Sequence, residues 1–569
     1  MAIEPPRQAT TSRPASLRRA LGRAVAVAFL IVALAAPEAR ARDQLVIGIS
    51  QFPSTLNPLI DAMVAKSYVL AMARRPVMAY DKDWKLVCLL CTEIPSFENG
   101  RAKRETLPDG RTGASLRLTL DPRANWGDGK PVGAADVVFT WEVGRHAQTG
   151  VGDFETFRRI LKIDVVDDKT VILHLDRVTF KYNDLAGFEL LPAHLERAAF
   201  QDPAQYKTKT LFDTDPTNPG LYAGPYRIAE IARGSHITLV PNAGWWGPPP
   251  AFKRVIVRAI ENTAALEANL LSGGVDYVAG ELGLTLDQAL AFERRHGKKY
   301  RVQFKPGLIY EHIDLNLDNP ALTDKRVRQA LLLALDRAAL NERLFAGKQQ
   351  AAHSFVNPLD VAYDPQVKIY PHDPARAAQS LDEAGWRKGP DGMRRNAQGQ
   401  ALQFDLMTTS GNRMRELVQQ VLQSQWRAAG IEVRLKNEPA RVFFGETVRQ
   451  RKFPAMAMFA WVSAPENVPR TTLASTHIPS AANNFAGQNY TGFRNAEVDQ
   501  LVDRIELELD RAARQSLWKR LQAIYAEELP ALPLYIRSDA FVVPPWLGGI
   551  QPTGHQYPST LWIENWRAE

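Results

Sequence analysis

Apolar residues alternate with small or polar ones in several short runs of this 569-residue chain. Leu45, Ile47 and Ile49 alternate with Val46, Gly48 and Ser50, the pattern of a buried first strand in an α/β setting. Leu116, Leu118 and Leu120 interleave with Arg117 and Thr119, a half-exposed strand, and Asp128-Gly129 then makes a turn. Residues 135–143 read as a helix, and Val171, Leu173 and Leu175 as a further strand. The clearest helical pattern covers 324–346, where Val327, Ala330, Leu331, Ala334 and Ala338 recur at helical spacing. Thr323 can cap its start, Asp324 complements the helix dipole, and Gly347 can end it. Helices over 374–384 and 416–429 stop at Gly385 and Gly430. Residues 402–407 and 431–435 read as strands, and an alternating stretch over 453–460 leads to Trp461. Stretches rich in Pro, Gly and Asn at 214–225, 246–250 and 464–489 read as loops. Strands and helices mix without a strict βαβ rhythm, which places the chain in the α/β class and disfavours a pure Rossmann or barrel fold.

At ~100–200 residues per domain, the length allows roughly three to five domains. The composition, 45% hydrophobic and 23% charged, excludes a mostly disordered chain. Only residues 24–36 are apolar enough to engage a bilayer, and a run of about 13 residues is too short for a comfortable span. Arg13, Arg18, Arg19 and Arg23 precede this run and Ala39-Arg40-Ala41 follows it, the form of a signal-peptidase site. Residues 1–41 therefore read as an export signal cleaved after Ala41, with an N-terminal membrane anchor as the alternative. Ordinary Sec export is expected in preference to a twin-arginine route through Arg18-Arg19.

The formal charge of +8 falls to +4 once those residues are set aside, leaving 64 basic and 60 acidic side chains. The remaining charge is spread along the chain with no Lys/Arg cluster among aromatics, so nucleic acid is not an expected partner. The two cysteines, Cys88 and Cys91, cannot form a disulfide scaffold or a four-Cys metal site. In an exported protein their spacing favours a local structural disulfide over two buried thiols. No Gly-x-Ser-x-Gly elbow, Walker loop, His-Glu-x-x-His or Gly-x-Gly-x-x-Gly occurs. No metal or cofactor is implied, and the missing motifs favour a binding protein over an enzyme. A secreted hydrolase with an acid/base carboxylate pair, for example one acting on carbohydrate, stays open.

Five blocks carry a family resemblance. They are Trp126-Gly-Asp-Gly-Lys-Pro-Val-Gly-Ala-Ala-Asp-Val-Val-Phe139, Gly224-Pro-Tyr-Arg227, Gly274-Val-Asp-Tyr277, Val327-Arg-Gln-Ala-Leu331 with Asp336-Arg337, and Asn489-Tyr-Thr-Gly-Phe493 with Asn495 and Glu497-Val-Asp499. In this order they resemble the family-5 extracellular solute-binding proteins of oligopeptide, dipeptide and nickel importers. The resemblance spans about residues 45 to 535. It implies a bilobal periplasmic-binding-protein fold of type II, with an extra subdomain and a hinge. Lobe I would take 42–86, 215–308 and 528–569, the extra subdomain 87–214, and lobe II 309–527. It also implies a periplasmic monomer that captures a peptide or peptide-like solute between its lobes and delivers it to inner-membrane ABC permease subunits. Oligosaccharide or metal-chelate binding is the alternative within the class, and a sensory receptor is the alternative on the same fold. The motif residues read as structural. Gly133 stands where the family often has a Ser or Thr cap, which suggests a weaker helix start.

The resemblance also orders the candidate ligand contacts. Trp461 aligns with a Trp placed beside the ligand in similar proteins, where it can stack on a peptide group or cover a cation, although it could equally be a core residue. The family often has an Asp three residues later and an Arg three residues earlier; here those positions are Ala464 and Met458. The ends of a zwitterionic ligand would then need other partners, because an unpaired buried charge costs several kcal/mol. Asp61, Glu189 and Glu311 could meet an amine, and Arg413 a carboxylate. Tyr310, Glu311 and His312 fall at the expected lobe crossing. Asn412 and Arg413 lie in a polar loop at a pocket edge, and Phe154 and Phe188 could line the extra subdomain's side. Each of these also has an ordinary reading, as surface charge or core.

Overall fold

The computed structural model describes residues 42–345, 347 and 349–569. The expected export signal, residues 1–41, lies outside the described residues. Residues 43–569 form one unit built around an eleven-stranded mixed sheet. At one end are Tyr277–Val278, Gln44–Ile49, Arg254–Ala259, His236–Pro241 and Tyr226–Ala232. At the other end are Met456–Val462, Gln403–Thr409 and Glu432–Glu438. Two long antiparallel strands, Arg301–Leu315 and Ala531–Val543, lie between the two ends and serve both.

Their pairing breaks register between Pro306 and Ile309, opposite Ser538 and Arg537. Beyond this break the strands change partners. Ile309 to Leu315 pair with Met456–Val462, while Val542 pairs with Val278. The cores divide at the same place. Leu529, Leu532, Leu534 and Tyr535 pack in the second end's core, whereas Phe541 and Val543 join the first end's core. The second strand passes from one core to the other around Arg537 and Ser538. Gly307 has its backbone against Gly554, so close that a Cβ would come within 2.6 Å of a carbonyl oxygen.

A separate four-stranded antiparallel sheet, Ala102–Thr106, Thr112–Thr119, Thr170–Leu175 and Ile160–Val165, lies within the segment expected to form an extra subdomain. The disulfide between Cys88 and Cys91 forms at its edge, where Cys91 also bridges to Leu120. The Trp126 motif fixes the first helix of this region, Ala134–Arg145. Asp136 accepts hydrogen bonds from Gly133 N (2.9 Å), Trp126 Nε1 (3.0 Å) and Ala193 N (2.8 Å). Burial pushes the Asp136 carboxyl up, and these donors oppose the shift. Gly133 is the cap position, and a Cβ there would meet the Asp168 carbonyl oxygen at 2.8 Å. The missing cap side chain is therefore a packing requirement, and Asp136 secures the helix start in its place.

The helix expected over 324–346 is two helices, Lys325–Leu333 and Arg337–Phe345. Asp324, rather than Thr323, caps the first by accepting from Arg326 N at 2.9 Å. Arg337 is buried and donates to the carbonyls of Pro533 (3.0 Å) and Tyr370 (3.0 Å), contacts that a continuous surface helix would not make. The helix expected from 416 starts earlier, as Arg413–Ala428, with Asn412 as its cap. Replacing Asp136 by Ala would leave the Trp126 indole and two backbone N–H groups without acceptors. We expect Asp136→Ala to lower unfolding free energy by about 2–3 kcal/mol in denaturant titration.

Candidate functional site

A cavity of about 440 Å³ lies between the two ends of the sheet, beside the strand crossing. This volume falls within the ~300–1,000 Å³ typical of ligand sites. One wall is aromatic, and strand alternation explains why. Tyr310 pairs with Trp461, and His312 with Phe459, across neighbouring antiparallel strands, so all four side chains share one face. Tyr310 and His312 stack at 4.8 Å, and Trp461 stacks on Tyr490 at 5.8 Å. Trp461, Tyr310 and Tyr490 line the cavity, and His312 lies buried behind them, 3.2 Å from Asp314.

The opposite face of the same strands is core. Ile313 pairs with Met458, and both are fully buried against the helix Arg413–Ala428. Met458 therefore stands away from the cavity: it is three residues from Trp461, and an odd spacing on a strand reverses the face. Glu311 also points to this side. It accepts from Arg415 Nε (2.6 Å) and Nη2 (3.2 Å) and from Arg537 Nη1 (3.2 Å), and is 1% exposed. Burial alone would raise the Glu311 carboxyl, but the two guanidinium groups outweigh it and hold the carboxyl below its ordinary value. Glu311 is thus fully engaged, and its partners Arg415 and Arg537 reach the cavity wall in its place.

Other expected contacts separate in the same way. Asn412 is spent on capping its helix, and neither it nor Arg413 lines the cavity. Phe154 stacks on His477 at 4.5 Å, where the extra subdomain meets the second end, and Phe188 packs on Phe157 in the core. Asp61 and Glu189 do line the cavity. Asp61 accepts from Ser54 Oγ at 2.8 Å and forms an ion pair with buried Arg449, which also donates to the Gly150 carbonyl at 2.7 Å. This pair ties the first end to the second across the cavity. Lys66 is caged by the carbonyls of Pro58 (2.9 Å) and Ile60 (2.6 Å), and burial lowers it to about 8 against the fields of Asp61 and Glu189. Glu189 and Asp153 form no ion pair among the described residues, and both face the cavity.

Sequence reasoning missed Arg415, Arg449, Arg537, Asp153 and Tyr490. Arg537 left a trace: with Asp539 it interrupts the apolar run of Ala531–Val543, at positions that share one strand face. Tyr490 lies inside the Asn489–Phe493 block, whose residues were read as structural, and Arg415, Arg449 and Asp153 carry no local signal. The loop-like stretch 464–489 supplies Asn467, Thr471, Thr472 and Gln488 to the wall.

A bilobal α/β fold with an enclosed cleft at a strand crossing is the architecture of a solute-binding protein. Residues 97–480 match the model of bacterial extracellular solute-binding proteins, family 5, and the chain belongs to that family. The oligopeptide-binding protein of Thermus thermophilus, solved with a pentapeptide, is 29% identical and superposes with a TM-score of 0.85 over 92% of this chain and 96% of its own. The oligopeptide-binding protein AppA of Bacillus subtilis is 24% identical over 81% of this chain and 82% of its own length. The nickel-binding periplasmic protein of Escherichia coli is 22% identical over 94% of this chain and 96% of its own length.

Removing the Glu311 charge strands two guanidinium groups in the interior. We expect Glu311→Gln to destabilise the fold by about 3–5 kcal/mol at neutral pH. The ion pair's contribution is full above the ordinary Glu value of about 4.3 and fades as pH falls through the lower native value. Chemical denaturation across pH 3–7 should show a shallower acid loss in the variant than in the parent.

Proposed function

We propose that this chain captures peptides or peptide-like solutes between its lobes in the periplasm and presents them to inner-membrane ABC permease subunits. The observation that carries this reading is the cavity itself. An aromatic wall with Trp461 and Tyr490 stands opposite a wall bearing the unpaired carboxylates Glu189 and Asp153, and the guanidinium of Arg537 lies at the crossing. Aromatic faces suit planar amide groups, and separated charges suit a zwitterion. The pentapeptide bound by the Thermus relative supports the same class of ligand. Family membership supports export, with cleavage after Ala41, and action without a catalytic step. In this reading the protein works as a monomer.

Lobe I comprises 43–86, 215–308 and 538–569 in this reading. Residues 87–214 form the extra subdomain and 309–537 form lobe II, with the hinge at the register break in the two long strands. Ligand is held by rotation about those strands, driven by better contacts in the closed state.

Native mass spectrometry of gently purified exported protein, with released molecules identified, tests the class. An intact stoichiometric peptide is the expected result, and a molecule cleaved by the protein would refute it. At a hundredfold excess over Kd, such a peptide should stabilise the fold by about 2.7 kcal/mol. Trp461→Ala should weaken that peptide by about tenfold or more in calorimetry.

A further inference from the structure

The cavity wall also holds a pair of carboxyls, Glu281 and Asp539, that the Glu311 network does not absorb. Glu281 lies in the turn that follows Tyr277–Val278, Asp539 lies on the neighbouring strand, and both line the cavity, close enough for the charge of Glu281 to act on Asp539. The turn carrying Glu281 is pinned. Leu282 O accepts from Ser50 N at 2.7 Å, and a Cβ on Gly280 would run into the Phe541 ring. Glu281 Oε1 accepts from Ser559 N at 2.8 Å, while Glu281 Oε2 and Asp539 Oδ1 are buried without a hydrogen-bond partner. Asp539 is only 2% exposed.

The groups around them are Tyr68, Tyr277 and Ser559, which are neutral, and Arg537 on the same strand, whose Nη1 is engaged by Glu311 at 3.2 Å. Burial, with the charge of Glu281, pushes Asp539 up to about 7. Buried carboxyls are ordinarily paired, so two without a dedicated cation mark a place for one supplied from outside. Hard divalent ions are a poor fit. They need about six oxygen ligands, and no group of three or more His, Cys, Asp or Glu able to hold a metal occurs among the described residues. An ammonium or guanidinium group brings several N–H donors and can serve both carboxylates at once.

We propose that Glu281 and Asp539 form a cation subsite in the cavity wall, which takes the ammonium or guanidinium group of an organic solute. The inference rests on the reading that the cavity holds a solute, and it narrows the solute to one carrying such a group. Its position at the crossing of Ala531–Val543 makes the subsite sensitive to lobe closure, since Asp539 follows the register break directly.

The test uses the mature chain and two probe pairs: agmatine against its neutral analogue n-butylurea, and N-acetyl-Ala-Arg-Ala-amide against N-acetyl-Ala-citrulline-Ala-amide, whose blocked ends leave the side chain as the one difference in charge. Affinities would be measured by calorimetry for the parent, Asp539→Asn and Glu281→Gln, with the melting temperature of each empty protein checking the fold. The expected result is a preference of about tenfold or more for the charged member of each pair, as a charge-assisted hydrogen bond supplies, lost in both variants. Equal binding of charged and neutral members, or a preference that survives both substitutions, overturns the subsite and leaves the peptide reading standing. Agmatine binding that depends on Asp539, with neither peptide bound, supports the subsite, and the released-ligand measurement decides the peptide reading separately. Failure of all four probes overturns the subsite.

Discussion

The structure depends on one buried charge arrangement, in which Glu311 is held between Arg415 and Arg537. These residues come from the two strands that cross between the lobes and from the helix that backs one of them. Three charges in the interior are stable only while they stay together, because each would be costly alone. The arrangement therefore fixes the crossing strands against the helix Arg413–Ala428 and sets the depth of the cavity floor. It leaves two guanidinium groups sharing one carboxylate, so part of their positive field reaches the cleft.

The cleft's walls follow from the same strands. A period of two puts Tyr310, His312, Phe459 and Trp461 on the cavity side, and Glu311, Ile313 and Met458 on the helix side. The aromatic wall and the buried ion pair are thus two faces of one piece of sheet. A shift of one residue in register would exchange them, so the site is as strongly specified as the core. The Asp61–Arg449 ion pair, also in the cavity wall, adds a second buried charge contact between the two ends of the fold.

Much of the fold was legible in the chain. The strands at 45, 171, 402 and 431 and the helices at 374 and 416 appear within a few residues of their expected places. The five motif blocks identified the family because they hold the fold: Asp136 satisfies Trp126, and Asn489 Nδ2 donates to the Leu473, Ala474 and Phe493 carbonyls. The helix over 324–346 divided because buried Arg337 turns inward to reach carbonyls of distant segments, which periodicity cannot register.

The sequence by itself determined the class of fold, the family and the local elements. Each of these rests on periodicity, capping or short-range motifs, which are written in neighbouring residues. Only the tertiary structure decided which charges are free to meet a ligand. Glu311 looks available in the chain, but Arg415 and Arg537, which neutralise it, lie 104 and 226 positions away. Glu281 and Asp539 look like ordinary charges until the fold sets both in the cavity wall, where the charge of Glu281 acts on Asp539. Charge pairing is a property of distance in space, and no local pattern encodes it.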